Sequence, residues 1–173
     1  MMRSSLIASL LALATAGAAH AATTAEVELK PTVGSATKGT VRFKQQDKQL
    51  QIEADIGGLA PGVHGFHLHE KGDCSAPDGT SAGGHFNPSS QQHGGPDHGP
   101  HHGGDFGNIT ADASGKARLS LTVPTSQISL DDGAANNIIG RGIIVHADPD
   151  DFVTQPTGNA GKRLACGVVV AGK

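Results

Sequence analysis

Beyond its first two dozen residues, the chain has no apolar repeat of about 3.6 residues, and an amphipathic helix is therefore excluded from its framework. Apolar and polar residues instead alternate, with β-branched enrichment, over Ala25 to Leu29, Thr40 to Lys44, Leu50 to Ile56, Gly65 to Glu70, Ala117 to Val123, Gly142 to His146 and Leu164 to Val170. Turn-forming clusters such as Ala60-Pro61-Gly62, Ala113-Ser114-Gly115 and Asp131-Asp132-Gly133 separate them. Glycine and proline supply 25 and 9 of 173 residues, about 20% against a background of about 12%. Seven or eight short strands without helices predict an all-β fold, an antiparallel sandwich or barrel, and the length suits one domain with a single core.

The N-terminus reads as a leader. Arg3 precedes an apolar run from Leu6 to Ala19, and Ala19-His20-Ala21 has the small-x-small form of a signal-peptidase site. The expectation is a cleaved signal peptide over 1–21 and a mature domain over 22–173, periplasmic or secreted, with no membrane association once the leader is gone. Loss of Arg3 leaves 12 basic against 16 acidic residues, a net charge of −4. That balance, with no basic run, argues against nucleic acid as a partner. In an oxidising compartment two cysteines read as a structural disulfide, and the one intramolecular pairing is Cys74 with Cys166. Closing a loop of that length stabilises a fold by about 4 kcal/mol on the chain-entropy model.

Two long glycine-rich segments, Lys71 to Asn108 and Ala147 to Lys162, interrupt the strand pattern, and irregular segments of this length are usually functional or disordered. The histidines concentrate around the first. The chain has 10 His against 5 Phe, with no Trp or Tyr, so the demand for apolar rings in a core does not account for them. His67 and His69 stand two apart on a strand and share a face, which makes half of a nitrogen-ligated metal site. His64 has the opposite parity and reads as a backbone hydrogen-bonder. His85, His93, His102 and Asp105 can be wrapped around one ion by a flexible loop, three imidazoles and a carboxylate that suit tetrahedral Zn²⁺. His146, at the end of a strand far along the chain, could complete a four-imidazole site with His67 and His69, a donor set that favours Cu(II). Spacing alone leaves open the alternative that this is a solvated, histidine-biased loop or a metal-buffering tract. For His98 and His101 the solvated reading is preferred.

Six blocks carry a resemblance: Gly65-Phe66-His67-Leu68-His69-Glu70, Gly83-Gly84-His85-Phe86-Asn87-Pro88, His93-Gly94-Gly95-Pro96, His102-Gly103-Gly104-Asp105, Ile144-Val145-His146, and the run from Gly158 through Arg163 to Gly167. In this order they resemble the copper/zinc superoxide dismutase family, in its bacterial, exported form. The resemblance implies a Greek-key β-sandwich or flattened barrel of about eight strands with two long functional loops. It implies copper on His67, His69, His85 and His146, and zinc on His85, His93, His102 and Asp105, so that His85 belongs to both sites. Asp150 matches the carboxylate that links a copper ligand to a zinc ligand, here His67 and His93, and Arg163 matches the arginine beside the copper.

The implied activity is dismutation of superoxide, a small anion, to O2 and H2O2, with Arg163 and His85 as the catalytic side chains. Superoxide approaches a net-negative protein, so local positive charge at Arg163, with help from Lys162, must outweigh the global charge. The alternative is an exported copper/zinc carrier or chaperone on the same fold. The absence of a Cys-x-x-Cys motif and the presence of Arg163 weigh against it. The segment from His146 to Arg163 looks shorter than in eukaryotic members, and the spacing from Cys74 to His85 looks bacterial. The subunit arrangement therefore does not transfer, and a homodimer is left open.

Overall fold

The structure, a computed structural model, describes residues 23–97 and 99–172. The leader expected over 1–21, and His98, lie outside the described residues. Among the described residues nine strands follow one another: β1 Thr23–Pro31, β2 Lys38–Gln46, β3 Gln49–Gly57, β4 Gly62–His69, β5 Asp105–Ala111, β6 Ala117–Pro124, β7 Gly142–His146, β8 Arg163–Val168 and the two-residue β9 Val170–Ala171. The helical content among the described residues is one 3-10 turn, Thr80–Ala82. The strand order is β2-β3-β6-β5-β4-β7-β8-β1, and β1 pairs back onto β2 to close an eight-stranded antiparallel barrel, with β9 on the edge of β1. Consecutive strands β3 and β4 are separated in space by β6 and β5, and β6 and β7 by β5 and β4. These two crossing connections are the Greek-key pattern.

The alternation read from the sequence is what fills the barrel. Val27 and Leu29 of β1, Val41 and Phe43 of β2, and Leu50, Ile52 and Ile56 of β3 point inward, each almost fully buried, while their neighbours face solvent. Each such side chain contributes about 1.5–3 kcal/mol by leaving water.

Strands β4 and β7 differ because both of their faces are covered. Phe66, Leu68, Ile143 and Val145 enter the core, whereas His67, His69, Ile144 and His146 point outward and are nonetheless buried. The two long loops lie over that outer face. The first is laddered onto β4 by Phe86 N to Leu68 O at 2.8 Å, Glu70 N to Gly84 O at 2.9 Å and Leu68 N to Gly104 O at 2.9 Å. A Cβ on Gly104 would run into the Leu68 carbonyl, so this close approach of the backbones requires glycine. The second loop returns through Gly65 N to Asp148 O at 2.9 Å and Ala147 N to Lys162 O at 2.8 Å. Ile144 packs there with Ala82 and Cys166 in a small apolar cluster beneath the first loop.

Two local readings are corrected. The expected irregular segment Lys71 to Asn108 ends earlier, because β5 begins at Asp105. Gly107, at φ +86°, hides the strand from a period-two reading, and Asp105 and Phe106 are both buried, on opposite faces. The single strand expected over Leu164 to Val170 is broken at Val169, whose N–H donates to Arg141 O at 2.9 Å while its carbonyl accepts from Gly140 N–H at 2.8 Å, an irregular end to the pairing with β7.

Cys74 and Cys166 form a disulfide across 92 residues, with Cα atoms 5.8 Å apart. It ties the first loop to β8. Cys74→Ser should therefore cost about 4 kcal/mol, roughly 10 °C in melting temperature, under oxidising conditions. Equal melting temperatures for variant and wild type would contradict this.

Candidate metal centre

The outward parity of β4 and β7 places His67, His69 and His146 side by side on a rigid surface. Each ring is fixed through one nitrogen. His67 Nε2 donates to Asp150 Oδ2 at 2.8 Å, His69 Nδ1 to the Gly83 carbonyl at 2.9 Å, and His146 Nδ1 to the Gly161 carbonyl at 3.3 Å. The remaining nitrogens, His67 Nδ1, His69 Nε2 and His146 Nε2, are buried and have no hydrogen-bond partner among the described residues. His64, of opposite parity, places Nδ1 2.9 Å from the His146 carbonyl and Nε2 2.8 Å from that of Ala60, and takes no part in the cluster.

His85 arrives from the first loop, bridged to His69 in antiparallel register. Its ring lies between two groups of side chains, with its centroid 4.0 Å from His67 and 5.1 Å from His69 on one side, and 5.3 Å from His93 and 5.6 Å from His102 on the other. Its Nε2 is another partnerless buried nitrogen, while Nδ1 sits 2.7 Å from Asp105 Oδ1. The same carboxylate oxygen is 3.1 Å from His93 Nδ1 and 3.3 Å from His102 Nδ1. Asp105 Oδ2 accepts the backbone N–H of Gly94 and of His102 at 3.1 and 2.9 Å, and so turns the loop around itself.

Two groups of four could thus hold a metal ion: His67, His69, His85 and His146, and His85, His93, His102 and Asp105. In each group the ligand atoms lie within 4.8 Å of one another. His85 is common to both. The protein's own electrostatics suit the task. Burial pushes the His67, His69 and His146 rings below their ordinary titration range and His85 down to about 4, so all four present neutral imidazoles at pH 7. Burial alone would also lower His93, but the Asp105 and Asp150 carboxylates against its two ring nitrogens outweigh it and hold the ring up at about 9. Burial would raise both of these carboxylates, yet the surrounding histidines keep them ionised, well below the usual range. Partnerless buried nitrogens converging beside ionised carboxylates are the donor set that a divalent cation needs, and His93 gives up its proton when an ion binds.

Asp150 links the groups, with Oδ2 on His67 and Oδ1 accepting from His93 Nε2 at 2.9 Å. Its backbone is gripped in turn by Asn108, whose Nδ2 donates to Asp150 O at 2.9 Å and whose Oδ1 accepts Asp150 N–H at 2.8 Å. Arg163, on β8, is anchored by Nη1 to the Gly79 carbonyl at 2.8 Å and by Nη2 to that of Gly83 at 2.7 Å. Gly83 O therefore serves both Arg163 and His69. Arg163, Lys162, Gly161, Thr80 and Asp78 line an open cavity of about 650 Å³.

The candidate ligands, Asp150 and Arg163 all fall into this assembly, and His101, read as solvated, stays out of it with Nδ1 spent on the His102 carbonyl at 2.8 Å. Gly79, Gly83, Asn108 and Gln155, which grips the His93 backbone N–H and carbonyl, carry no sequence signal as anchors, because all four act on backbone or through it and none is of a type that signals metal chemistry. Gly158 at φ +65° is also essential to the packing.

The family described as copper/zinc superoxide dismutase (SODC) matches residues 37–169. A Cu-Zn superoxide dismutase of Paramecium bursaria Chlorella virus 1 is 50% identical over 140 residues, covering 76% of this chain and 72% of its own. A crystal structure of the clock protein EA4 superposes with a TM-score of 0.75 at 38% identity, covering 86% of this chain and 94% of that one.

A Cβ on Gly158 would collide with Asp150 Oδ1 and lie 2.6 Å from His93 Nε2. Gly158→Ala should push the carboxylate off His93 and weaken metal retention in that group by roughly 10–100-fold, the usual effect of losing a ligand-orienting partner. Dialysis against a graded chelator followed by metal analysis measures this, and wild-type retention would contradict it.

Proposed function

The chain belongs to the copper/zinc superoxide dismutase family, enzymes of copper and zinc acting on superoxide, and from that premise we propose how its residues divide the work. Copper is assigned to His67, His69, His85 and His146, and zinc to His85, His93, His102 and Asp105. The observation that carries the assignment is the set of six buried, partnerless imidazole nitrogens, four aimed into the first group and two into the second. The first group is all imidazole, the donor set copper prefers, and the second adds a carboxylate to three imidazoles, which suits zinc.

Bound copper supplies one-electron exchange between two oxidation states, so that two superoxide ions and two protons become O2 and H2O2. The chain's own part is geometry, charge and proton placement. The three strand-borne histidines offer neutral nitrogens from fixed rings. His85 reaches the second group through Nδ1, which leaves Nε2 as the atom that holds and delivers a proton at the first. Arg163, its guanidinium pinned by two carbonyls, provides a fixed positive charge and directional donors for a small anion. Lys162 adds positive charge to the lining of the adjoining cavity, to which Asp78 contributes a negative one.

The physiological part of this reading is export through the leader over 1–21 and defence against superoxide outside the cytoplasm. Its support is the leader pattern together with the Cys74–Cys166 disulfide, a bond that persists in oxidising compartments.

Mature protein loaded with both metals should remove superoxide rapidly, and metal-replete protein without activity would overturn the proposal. Arg163→Ala should lose roughly 10–100-fold in rate, the equivalent of one charge-assisted hydrogen bond, while keeping its copper. A metal carrier would be indifferent to that change. Because attraction of the anion is electrostatic, kcat/KM should also fall as the screening length shrinks from about 30 Å to about 8 Å between low and physiological salt. A flat salt profile would contradict the steering role.

A further inference from the structure

His93 is the ligand with the least support from its own surroundings. His85 is bridged to β4, Asp105 begins β5, and His102 is turned in by its own N–H to Asp105. His93 sits midway along the first loop, far from any strand. Its peptide groups are held from the other loop. His93 N–H donates to Gln155 Oε1 at 2.9 Å, and Gln155 Nε2 donates to the His93 carbonyl at 2.9 Å. The side-chain amide of Gln155 pairs with this backbone as a neighbouring strand would, from 62 residues away. Among the described residues it is the sole partner of these two groups.

The ring of His93 ends on the same loop, since Nε2 donates to Asp150. Residues five apart thus hold His93 at both ends, Gln155 at the main chain and Asp150 at the far ring nitrogen. Between these fixed ends, Nδ1 is left facing Asp105 Oδ1. With the Asp150 contact alone, the imidazole would be tethered at its tip and free to swing Nδ1 off the axis of the group.

We propose that Gln155 is a positioning residue for the zinc group, fixing the His93 backbone so that Nδ1 is presented to the ion. This rests on the zinc assignment above and goes beyond it in making an exposed amide of the closing loop a determinant of zinc retention and geometry. The copper group has no such dependence, because His67, His69 and His146 are borne by β4 and β7, and His85 is bridged to β4.

The test uses the full mature protein carrying Gln155→Met, which keeps the length of the side chain and removes both hydrogen bonds to His93 together with the longer one to the Val153 carbonyl at 3.3 Å, with Gln155→Ala as a second variant. Zinc release to a chelator, the visible spectrum of Co²⁺ placed in the zinc group, and copper retention are measured together with the melting temperature of metal-free protein. Zinc release should accelerate about tenfold in both variants and the Co²⁺ bands should shift, with copper retention and metal-free melting at wild-type values. Wild-type zinc release and Co²⁺ spectra in both variants would overturn the role of Gln155 while leaving the zinc assignment standing. Equal acceleration of zinc and copper loss with a lowered metal-free melting temperature would reduce Gln155 to general scaffolding and also overturn it. Wild-type Co²⁺ uptake that is indifferent to His102→Ala would overturn the zinc assignment, and the proposal with it.

Discussion

Six imidazole nitrogens face one another in a buried space without hydrogen-bond partners among the described residues, and the rest of the architecture follows from that constraint. A buried polar group left unpaired costs about 1–3 kcal/mol, so six together approach the whole net stability of a typical domain, about 5–15 kcal/mol. Such an arrangement persists where cations repay the cost. Ion binding by this set is therefore coupled to the stability of the loops that close over it.

The barrel makes the arrangement possible by giving β4 and β7 two buried faces. Their inward residues, Phe66, Leu68, Ile143 and Val145, belong to the apolar core, while the alternate residues His67, His69 and His146 are raised on its outside. A donor on a packed strand has little freedom, which suits a site where geometry sets the chemistry. The loops supply what strands cannot. One curls around Asp105 to bring His85, His93 and His102 together, and the other lays Asp150 across both groups and Arg163 beside them. The disulfide and the Gly83 carbonyl join the first loop to β8, so that His69 and the cation Arg163 share a single anchor.

Much of this was legible in the sequence. The alternation in β1, β2 and β3 gave the inward faces directly, and the two-residue spacing of His67 and His69 gave their common face. The ligand blocks, read as a resemblance, named the residues that the fold brings together. β5 was hidden because a strand that begins with a buried carboxylate and carries glycine at positive φ shows no clean period of two. The amide grips of Asn108 on Asp150 and Gln155 on His93 span 42 and 62 residues and are made to backbone atoms, which any residue possesses. No local pattern in a single sequence encodes such partners. Equally, the parity argument that set His64 apart could not say that it would span two carbonyls, one of them that of His146.

The central claim is that His85 belongs to both metal groups through its two ring nitrogens. Magnetic resonance of protein carrying Cu²⁺ in the first group and Co²⁺ in the second tests it most directly, since two paramagnetic ions joined by one imidazolate couple through it. The account predicts that the isolated Cu²⁺ signal disappears when Co²⁺ is added and returns when Co²⁺ is removed. A Cu²⁺ signal unaffected by a full equivalent of bound Co²⁺ would contradict it.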